Sequence, residues 1–368
     1  MDELNKETMS DLGHTSSNKL NSLSEALSHL ESPRVRDLAW VIGSSDLVSL
    51  IKTQTLDLNW LSSYQRDLKL LPFDSWRALQ HALPYLSQLN HDPGPLDSAL
   101  QDYAQNHKRV RLGVYYEHLT YYWLEHILKA SALRREIQLY SYAEGVKQTL
   151  GALDIVATLS ADVLEILTRS KQTESLTIHF ELASKFYLKV PQALAHQTPD
   201  QSIPSHYYKY VGPNERDCFG GKLHRLYNHQ LPLSQGVEAL AHFSTNDMVI
   251  DARCLWLKGR VFEHGSDWTA KTGVKALWLR QNEIPILYSD FNQDRPLLYA
   301  FLCTKPAWLA PPCSETMLHT EQIKSCDLLE RAQHARGERG STLWFLHSFN
   351  QQNSAWLMIV PDDWGTRT

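Results

Sequence analysis

Apolar residues recur at helical spacing through the first third of the chain. Around residue 40 they fall on one face of a helix, and Ser32-Pro33 just before it fits an N-cap followed by a proline at the first helical position. These apolar positions are Val35, Leu38, Ala39 and Ile42. Residues 61–89 continue the pattern, with interruptions expected at Pro72 and Pro84, and the turn-forming run 90–95 follows.

The longest helical pattern covers residues 98–130, and the period changes after it. The apolar stripe of this segment consists of Leu112, Tyr116, Leu119, Tyr122, Trp123, Ile127 and Leu128. Residues 136–143, 152–159 and 176–188 then favour three strands, with turns at Glu144-Gly145 and at Gly151 and a partly polar connection over 160–175. After a loop over 191–217, a further helix is expected from 217 to 230.

The last third carries short β-like runs that are rich in aromatic residues. They lie at 252–264, 275–282, 296–303, 341–349 and 355–362, with a helical piece at 314–335. Aromatic residues at strand spacing usually fill a core, although they can also stack on the bases of single-stranded nucleic acid. We therefore expect core positions for Trp256, Trp268, Trp278, Trp308, Trp344, Trp356 and Trp364.

This order of elements predicts an α/β (α+β) fold with a mixed core near the middle of the chain. We expect a disordered tail over 1–22, a helical segment over 23–97, an α/β core over 98–235, and a β-rich region over 236–368 that packs on the core.

Composition narrows the classes of function. The formal net charge of -5 provides no global basic field for nucleic acid, although a local basic groove would suffice for binding. The five cysteines are scattered, which predicts reduced thiols rather than a disulfide framework. Because the polar amino terminus lacks the apolar core of a signal peptide and no apolar run reaches spanning length, we expect a cytoplasmic protein without a membrane partner.

Two acidic residues on neighbouring predicted strands form the sharpest constellation. Gly151-Ala-Leu-Asp154 leads into the second strand, and Glu181 lies within the third. Two carboxylates that meet at a sheet's end offer hard oxygen ligands to Mg²⁺ (or Mn²⁺), which can activate water and stabilise charge on a phosphate. Lys185 follows Glu181 by four residues on the same face, and a lysine there would stabilise developing negative charge.

These residues resemble the core of the PD-(D/E)XK nuclease superfamily over residues 109–230. The resemblance rests on Gly151-x-x-Asp154 and a hydrophobic strand that carries Glu181, and it implies a restriction-endonuclease-like core. It also implies an acidic residue in the preceding helix, where Glu117 stands. At closer range the chain is similar to a bacterial family called domain of unknown function 1853, through the strings VRDLAW (35–40), ELASKFYL (181–188), GPNERD (212–217), HQLPLS (229–234) and VPDDW (360–364).

The chain departs from the superfamily pattern at its lysine. The pattern places lysine two residues after the acid, where this chain has Ala183. Glu181 and Lys185 would lie about 13 Å apart along a straight strand. A bulge at Ala183-Ser184 would shorten this gap. Alternatively, Lys222 in the following helix would supply the positive charge.

Each of these acids also has a structural interpretation. Asp154 could cap a turn or pair with an arginine, Glu117 could be a solvated helix residue, and Glu181 with Lys185 could form a purely structural ion pair. A basic cluster follows, with Lys222, Arg225 and His229 on one helix face and Lys209 and Arg216 upstream. This cluster predicts either a phosphate-binding surface for DNA or RNA or an ordinary solvated face.

Three functions remain open at this point. The first is a Mg²⁺-dependent phosphodiesterase, with Asp154 and Glu181 as metal ligands, Glu117 assisting through water, and Lys185 or Lys222 as the catalytic lysine. The second is a catalytically inactive relative that binds nucleic acid or a protein. The third is an interaction scaffold that uses the aromatic carboxy-terminal region.

Overall fold

A single mixed sheet runs through most of the chain. In this computed structural model, ten strands in the described part of the chain join one sheet. The structure describes residues 21–51, 59–106, 111–143, 146–192, 202–245, 248–265, 275–285, 298–313, 322–323, 325–335, 340–348 and 354–366. The predicted tail over 1–22 therefore lies almost wholly outside the described residues.

The described helices lie mainly in the first two thirds of the chain. They are α1 (Leu23–Ser28), α2 (Pro33–Gly43), α3 (Leu47–Ile51), α4 (Asn59–Asp67), α5 (Ser75–His91), α6 (Gly94–Asn106), α7 (Leu112–Tyr122), α8 (Ala161–Thr168), α9 (Phe219–Arg225), α10 (Val237–Ser244) and α11 (Ser325–Ala335). Single π-helical turns extend α7 over Trp123–Ile127 and α9 over Leu226–Gln230. Short 3₁₀ turns occupy Ser205–Lys209, Leu231–Gln235 and Gln281–Glu283.

The strands confirm the predicted mixed α/β class. They are β1 (Ser131–Ala143), β2 (Val146–Leu159), β3 (Leu176–Lys189), β4 (Tyr210–Val211), β5 (Ala252–His264), β6 (Lys275–Arg280), β7 (Leu298–Cys303), β8 (Gln322–Ile323), β9 (Thr342–Ser348) and β10 (Ser354–Val360). Their order is β1-β2-β3-β5-β6-β10-β9-β7-β8, and β4 pairs with β3. The β3–β5, β5–β6 and β6–β10 pairs are parallel, and the others are antiparallel. The sheet therefore continues from the predicted core into the β-rich region after residue 236.

Two helical predictions need correction. Pro84 lies inside α5 and does not end it, because the helix is held by a buried face that packs on α2 and offsets one lost backbone hydrogen bond. The single pattern over 98–130 is divided between α6 and α7. The start of α2 agrees with the prediction, since Ser32 is the N-cap and Pro33 is the first helical residue.

Gly151 lies within β2 and does not form the predicted turn. It is paired with Leu139 where the register between β1 and β2 shifts by one residue. Gly151 has a φ of +156°, which residues with a side chain rarely adopt, and a Cβ atom there would lie 2.7 Å from Cδ1 of Leu233, so both the backbone and the packing favour glycine. The connection expected over 160–175 contains α8, whose Leu164 and Leu167 are buried.

The third strand is covered on both faces. Ile178, Phe180 and Leu182 join the large hydrophobic cluster that includes residues of α2, α5 and α7. Ala183 and Tyr187 join a second cluster that includes Phe219 and Leu223 of α9. Side chains alternate between the two faces of a strand, and the polar residues His179 and Glu181 of β3 are fully buried.

Buried charges tie α2 to the segment after β7. Asp37 accepts hydrogen bonds from the Tyr115 hydroxyl (3.0 Å) and from the Ala310 backbone N–H (2.9 Å). Arg36 donates to the carbonyls of Leu30 (2.7 Å) and Pro311 (3.0 Å). Burial raises the pKa of Asp37 to about 7. Arg36 and Asp37 of the string VRDLAW therefore connect α2 to the segment after β7.

The tryptophans of the last third are mostly core residues, as expected. Trp308 is partly buried, and Trp268 lies outside the described residues. The buried ones are Trp256, Trp278, Trp344, Trp356 and Trp364. Cys218, Cys254, Cys303 and Cys313 are buried and are not joined in disulfides, which agrees with the predicted reduced state.

Within the described ranges, every helix is too short or too polar to traverse a lipid bilayer.

The parallel pairing of β3 with β5 depends on a glycine. Gly259 is the partner of Lys185, and a Cβ atom there would collide with the Lys185 carbonyl. We expect Gly259→Ala to lower the free energy of unfolding by roughly 1–3 kcal/mol, because backbone must move to accept the methyl group. Urea unfolding measures this change.

The matched control is Gly113→Ala. Gly113 is exposed in α7, and a Cβ atom there has open space. Alanine is the better helix former, so this variant should be at least as stable as the parent. Equal stability of the two variants would contradict the steric account of Gly259.

Candidate active site

Asp154 and Glu181 face each other across β2 and β3. The two strands pair antiparallel, with Ile155 opposite Phe180. The next step of this register places Asp154 opposite Glu181, and opposed residues of an antiparallel pair project from the same face. Oδ2 of Asp154 accepts a hydrogen bond from the Leu182 backbone N–H (2.8 Å). The Asp154 carboxylate thus accepts a hydrogen bond that a backbone carbonyl of the neighbouring strand would otherwise accept.

Glu181 is fully buried without a hydrogen-bond donor. Its relative exposure is 0%. Among the residues that the structure describes, neither carboxylate oxygen of Glu181 has a hydrogen-bond partner. A buried ionised carboxylate normally requires a counter-charge and hydrogen bonds, and its desolvation is costly without them. Glu181 therefore requires a proton or a cation.

The pKa values of both acids are raised for this reason. Burial, and then the charge of Glu181, raise the pKa of Asp154 to about 7. Burial raises the pKa of Glu181 to about 7, against the opposing effects of Lys222, Arg225 and a side-chain interaction with Asp154. Two ionised carboxylates have no hydrogen to share, so the interaction between them needs a proton or a positive ion.

Glu117 belongs to the same acidic group. It lies on α7 and is partly buried. Burial raises the pKa of Glu117 to about 7, and the charges of Asp154, Glu136 and Glu181 add to this effect. The alternative that Glu117 is a freely solvated helix residue does not match this environment. The helix and two strands thus place the three predicted acids within electrostatic range of one another.

Lys222 provides positive charge at the acids. Its Nζ donates to Oε1 of Gln230 (2.9 Å). Burial lowers the pKa of Lys222, and the charges of Glu181 and Asp154 act in the opposite direction. The lysine of α9 therefore lies within electrostatic range of both carboxylates.

Lys185 has a different partner. Its Nζ lies 2.7 Å from Oδ2 of Asp217, and both side chains are about one-third exposed (36% and 33%). The predicted structural pair between Glu181 and Lys185 is therefore wrong. The proposed bulge at Ala183-Ser184 is also absent, because β3 pairs with β5 without a shift from Ile178 to Leu188.

The GPNERD loop, which carries Asp217, is held by hydrogen bonds from the carboxy-terminal segment. Gly212 donates its backbone N–H to the Asp217 carbonyl (2.8 Å), which closes the GPNERD loop. The Pro213 carbonyl accepts a hydrogen bond from Nε1 of Trp364 (3.1 Å), and Glu215 accepts one from the Gly365 backbone. This contact between GPNERD and VPDDW holds Asp217 in place. Asp217 in turn pairs with Lys185 in the second half of β3.

The remaining basic residues of the predicted cluster are exposed, and the charge of Arg225 acts on an acid of the site. Lys209, Arg216, Arg225 and His229 are all exposed. Arg225 is close enough to lower the pKa of Glu181. The charge of Lys209 instead helps burial to lower the pKa of His206. Arg216 lies on the GPNERD loop.

A buried polar chain behind Glu181 was not predicted. His179 is fully buried on the same face of β3, and its Nδ1 lies 3.1 Å from Oγ of Ser234. Nε of Arg253 donates to the same Oγ (2.8 Å). Nε2 of His179 lies 3.7 Å from Oε2 of Glu181. Burial lowers the pKa of His179 to about 4, so its ring is neutral near pH 7 and does not form an ion pair with Glu181.

Asp154 and Glu181 are the residues that could hold a divalent cation. Their oxygens suit a hard ion such as Mg²⁺, and the unpartnered oxygens of Glu181 provide free ligand positions. Within the described residues, no group of three or more His, Cys, Asp or Glu side chains forms a ready-made ligand set. A cation here would therefore complete its coordination with water, as Mg²⁺ usually does.

The raised pKa of Glu181 predicts a pH-dependent stability. An acid whose pKa is about 7 in the fold and about 4.5 when unfolded contributes stability below pH 4.5 that is lost as pH rises through 7. Glu181→Gln removes this titration. We therefore expect the free energy of unfolding of Glu181→Gln, relative to the parent, to increase from pH 5 to pH 8 in the presence of a chelator.

Urea unfolding at several pH values measures this difference. The control is Glu165→Gln, since Glu165 is exposed on α8 and its variant should follow the parent at every pH. Parallel curves for Glu181→Gln and the parent would show that Glu181 ionises without penalty in the fold.

The whole arrangement lies inside one sequence family. The family model described as Domain of unknown function (DUF1853) matches residues 36–359, from within α2 to within β10. No curated protein and no solved structure matches the chain. Because the match covers the sheet, the three acids and both lysines, the chain belongs to the DUF1853 family.

Proposed function

We propose that this protein is a divalent-metal-dependent phosphodiesterase that cleaves nucleic acid. The observation that carries the proposal is Glu181, a fully buried carboxylate whose oxygens have no hydrogen-bond partner among the described residues and which faces Asp154. Two carboxylates with pKa values raised to about 7 are stabilised when a cation replaces the shared proton. This supports a metal site rather than a core ion pair.

Each side chain then has a defined part. Asp154 and Glu181 would hold a Mg²⁺ ion, which would supply positive charge and activate a water. Asp154 is oriented by the Leu182 N–H, which leaves its other oxygen for the cation. Lys222, held by Gln230, stabilises negative charge on the phosphate, and Glu117 orients water. Arg225 is exposed beside the acids and suits a neighbouring phosphate of the same strand.

The likeness to the PD-(D/E)XK superfamily supports this proposal. Glu117, Asp154 and Glu181 follow one another on a helix and two adjacent strands, which is the order that the resemblance implies. The lysine two residues after the acid is replaced by Ala183, which packs in the cluster beneath α9. Lys222 of α9 approaches the acids from this same side, so we infer that it takes the role of the missing lysine.

A second candidate is an inactive relative that binds nucleic acid without cutting it. It is favoured by the ion pair of Lys185 with Asp217, by Ala183 and by the net charge of -5. A metal-independent binding protein would retain DNA or RNA affinity when Asp154 is replaced.

The metal ligands can be tested directly. We expect the purified protein to cleave DNA or RNA when Mg²⁺ or Mn²⁺ is added, and Asp154→Ala and Glu181→Gln to abolish cleavage, because each removes one of the two anionic ligands. Gel assays of product formation with labelled DNA and RNA measure this. The control variant Glu165→Gln should cleave like the parent. Cleavage that survives Asp154→Ala would refute the assignment, and binding without cleavage by the parent would establish the second candidate.

The two lysines should differ in effect. Lys222→Ala removes the positive charge beside the acids and should reduce the cleavage rate by about 10²–10³-fold, which is typical for one charge-stabilising donor. Lys185→Ala breaks an ion pair with Asp217 that is about one-third exposed, and it should reduce the rate far less. Single-turnover rates at saturating metal separate the two. A larger loss for Lys185→Ala would assign the catalytic role to Lys185 instead.

A further inference from the structure

A small cavity lies beside the acids, on the side of β3 that is away from Asp154. It has a volume of about 150 Å³ and lies between β5, α3, α4 and the segment that leads into α5. Leu255 of β5 forms part of its wall, and this residue is the partner of Glu181 in the parallel β3–β5 pair. Tyr227, in the π-helical turn after α9, forms another part. The cavity therefore begins one strand away from the proposed metal ligands.

Apolar side chains line much of the cavity and limit the shape of a ligand. They include Val48 of α3, Leu61 of α4, and Leu71 and Phe73 of the segment before α5. An engineered apolar cavity of about 150 Å³ in another protein binds benzene. The cavity of this chain therefore suits one six-membered ring better than the two fused rings of a purine.

Lys258 organises the polar part of the wall. Its fully buried Nζ donates to the Ser44 carbonyl (2.5 Å) and the Ser75 hydroxyl (2.6 Å), and it lies 3.7 Å from the centre of the Trp256 ring. Burial lowers the pKa of Lys258 to about 7, against the charge of Asp46. Because these contacts occupy the amine, it offers little to an anion in the cavity. We therefore expect a neutral polar ligand rather than a phosphate or a carboxylate.

Three polar groups of the wall can still bind a ligand. Nε1 of Trp256 is a buried donor that has no hydrogen-bond partner in the described part of the chain. The Ser75 oxygen accepts from Lys258, so its own O–H can donate. Asp46 accepts from three backbone N–H groups, and a carboxylate has room for a fourth hydrogen bond. The wall thus offers two donors and one acceptor to a ring in the cavity.

We propose that this cavity binds one unstacked pyrimidine base of a single-stranded nucleic acid. The Watson–Crick edge of a pyrimidine carries two acceptors and one donor, which complement the two donors and one acceptor of the wall. Proteins read unstacked bases by hydrogen bonds to this edge and by aromatic or apolar contacts with the ring.

The inference rests on the proposed function, because it names the substrate of that site. Lys222 and Arg225 of α9 were assigned to phosphates of the strand, and Tyr227 of the cavity wall lies two residues after Arg225. Leu255 of the same wall is the β5 neighbour of Glu181. A strand whose phosphates lie at the basic residues can therefore place a base in the cavity.

A substitution that fills the cavity tests the proposal. Ser49 is an exposed residue of the cavity wall on α3, so Ser49→Phe adds a ring there without burying a polar group. The matched control is Ser87→Phe, because Ser87 is exposed on α5 and is not part of the wall. Both variants carry the same change of side chain, and urea unfolding checks that both remain folded.

The experiment measures the affinity for labelled octamers of deoxycytidine, thymidine and deoxyadenosine by fluorescence anisotropy, with a chelator present to prevent metal-dependent cleavage. We expect the parent and Ser87→Phe to bind both pyrimidine octamers about 10-fold more tightly than the adenine octamer, and Ser49→Phe to lose this preference. A parent without the preference, or a preference that survives in Ser49→Phe, would overturn the inference.

The proposed function and this inference can fail separately. Metal-dependent cleavage by a parent without a pyrimidine preference would remove the base site and leave the phosphodiesterase. A pyrimidine preference that Ser49→Phe abolishes, in a parent that never cleaves, would remove the phosphodiesterase and leave the base site.

A photochemical measurement needs no variant. An octamer of 5-iododeoxyuridine is irradiated in complex with the parent, and mass spectrometry identifies the cross-linked residues. We expect cross-links to Phe73, Tyr227 or Trp256, which are the aromatic residues of the wall. Cross-links only to residues outside the wall, or none, would overturn the inference.

Discussion

The carboxylate of Glu181 is the constraint on which the rest of this account depends. β3 is covered on one face by α2, α5 and α7 and on the other by α9, and the Glu181 side chain in its middle is fully buried. The fold brings Asp154 opposite this acid and Glu117 near it, and it offers Lys222 as partial compensation. Burying several carboxylates close together is costly unless a cation or a proton neutralises part of their negative charge.

Much of the fold could be predicted, because periodicity and local signals coincide there. The start of α2 follows from Ser32-Pro33, and β1 to β3 follow from the change of period after residue 130. The failures are places where tertiary packing overrides a local rule. Pro84 stays within α5 because the buried face of that helix holds it, and Gly151 stays within β2, where it pairs with Leu139 at the register shift against β1. Neither the packing nor the pairing can be read from local sequence.

The candidate site could likewise be predicted only in part. Asp154 and Glu181 could be paired in advance, since both lie on predicted neighbouring strands. The lysine that acts with these acids could not be decided from the sequence, because Ala183 replaces the lysine that the pattern expects. The choice between Lys185 and Lys222 depends on the GPNERD loop, whose Asp217 pairs with Lys185. The line from Arg253 through Ser234 to His179 joins β5, a 3₁₀ turn and β3. Its only local clue is that His179 precedes Glu181 by two residues on the same face.

The central claim is that Asp154 and Glu181 share one divalent ion, and anomalous scattering from crystals soaked in Mn²⁺ near pH 8 tests it most directly. The account predicts one strong peak within about 2.5 Å of an oxygen from each carboxylate, with water completing the coordination. A crystal saturated with Mn²⁺ that shows no peak there, with the two acids joined by a proton or turned onto Lys222, would contradict it.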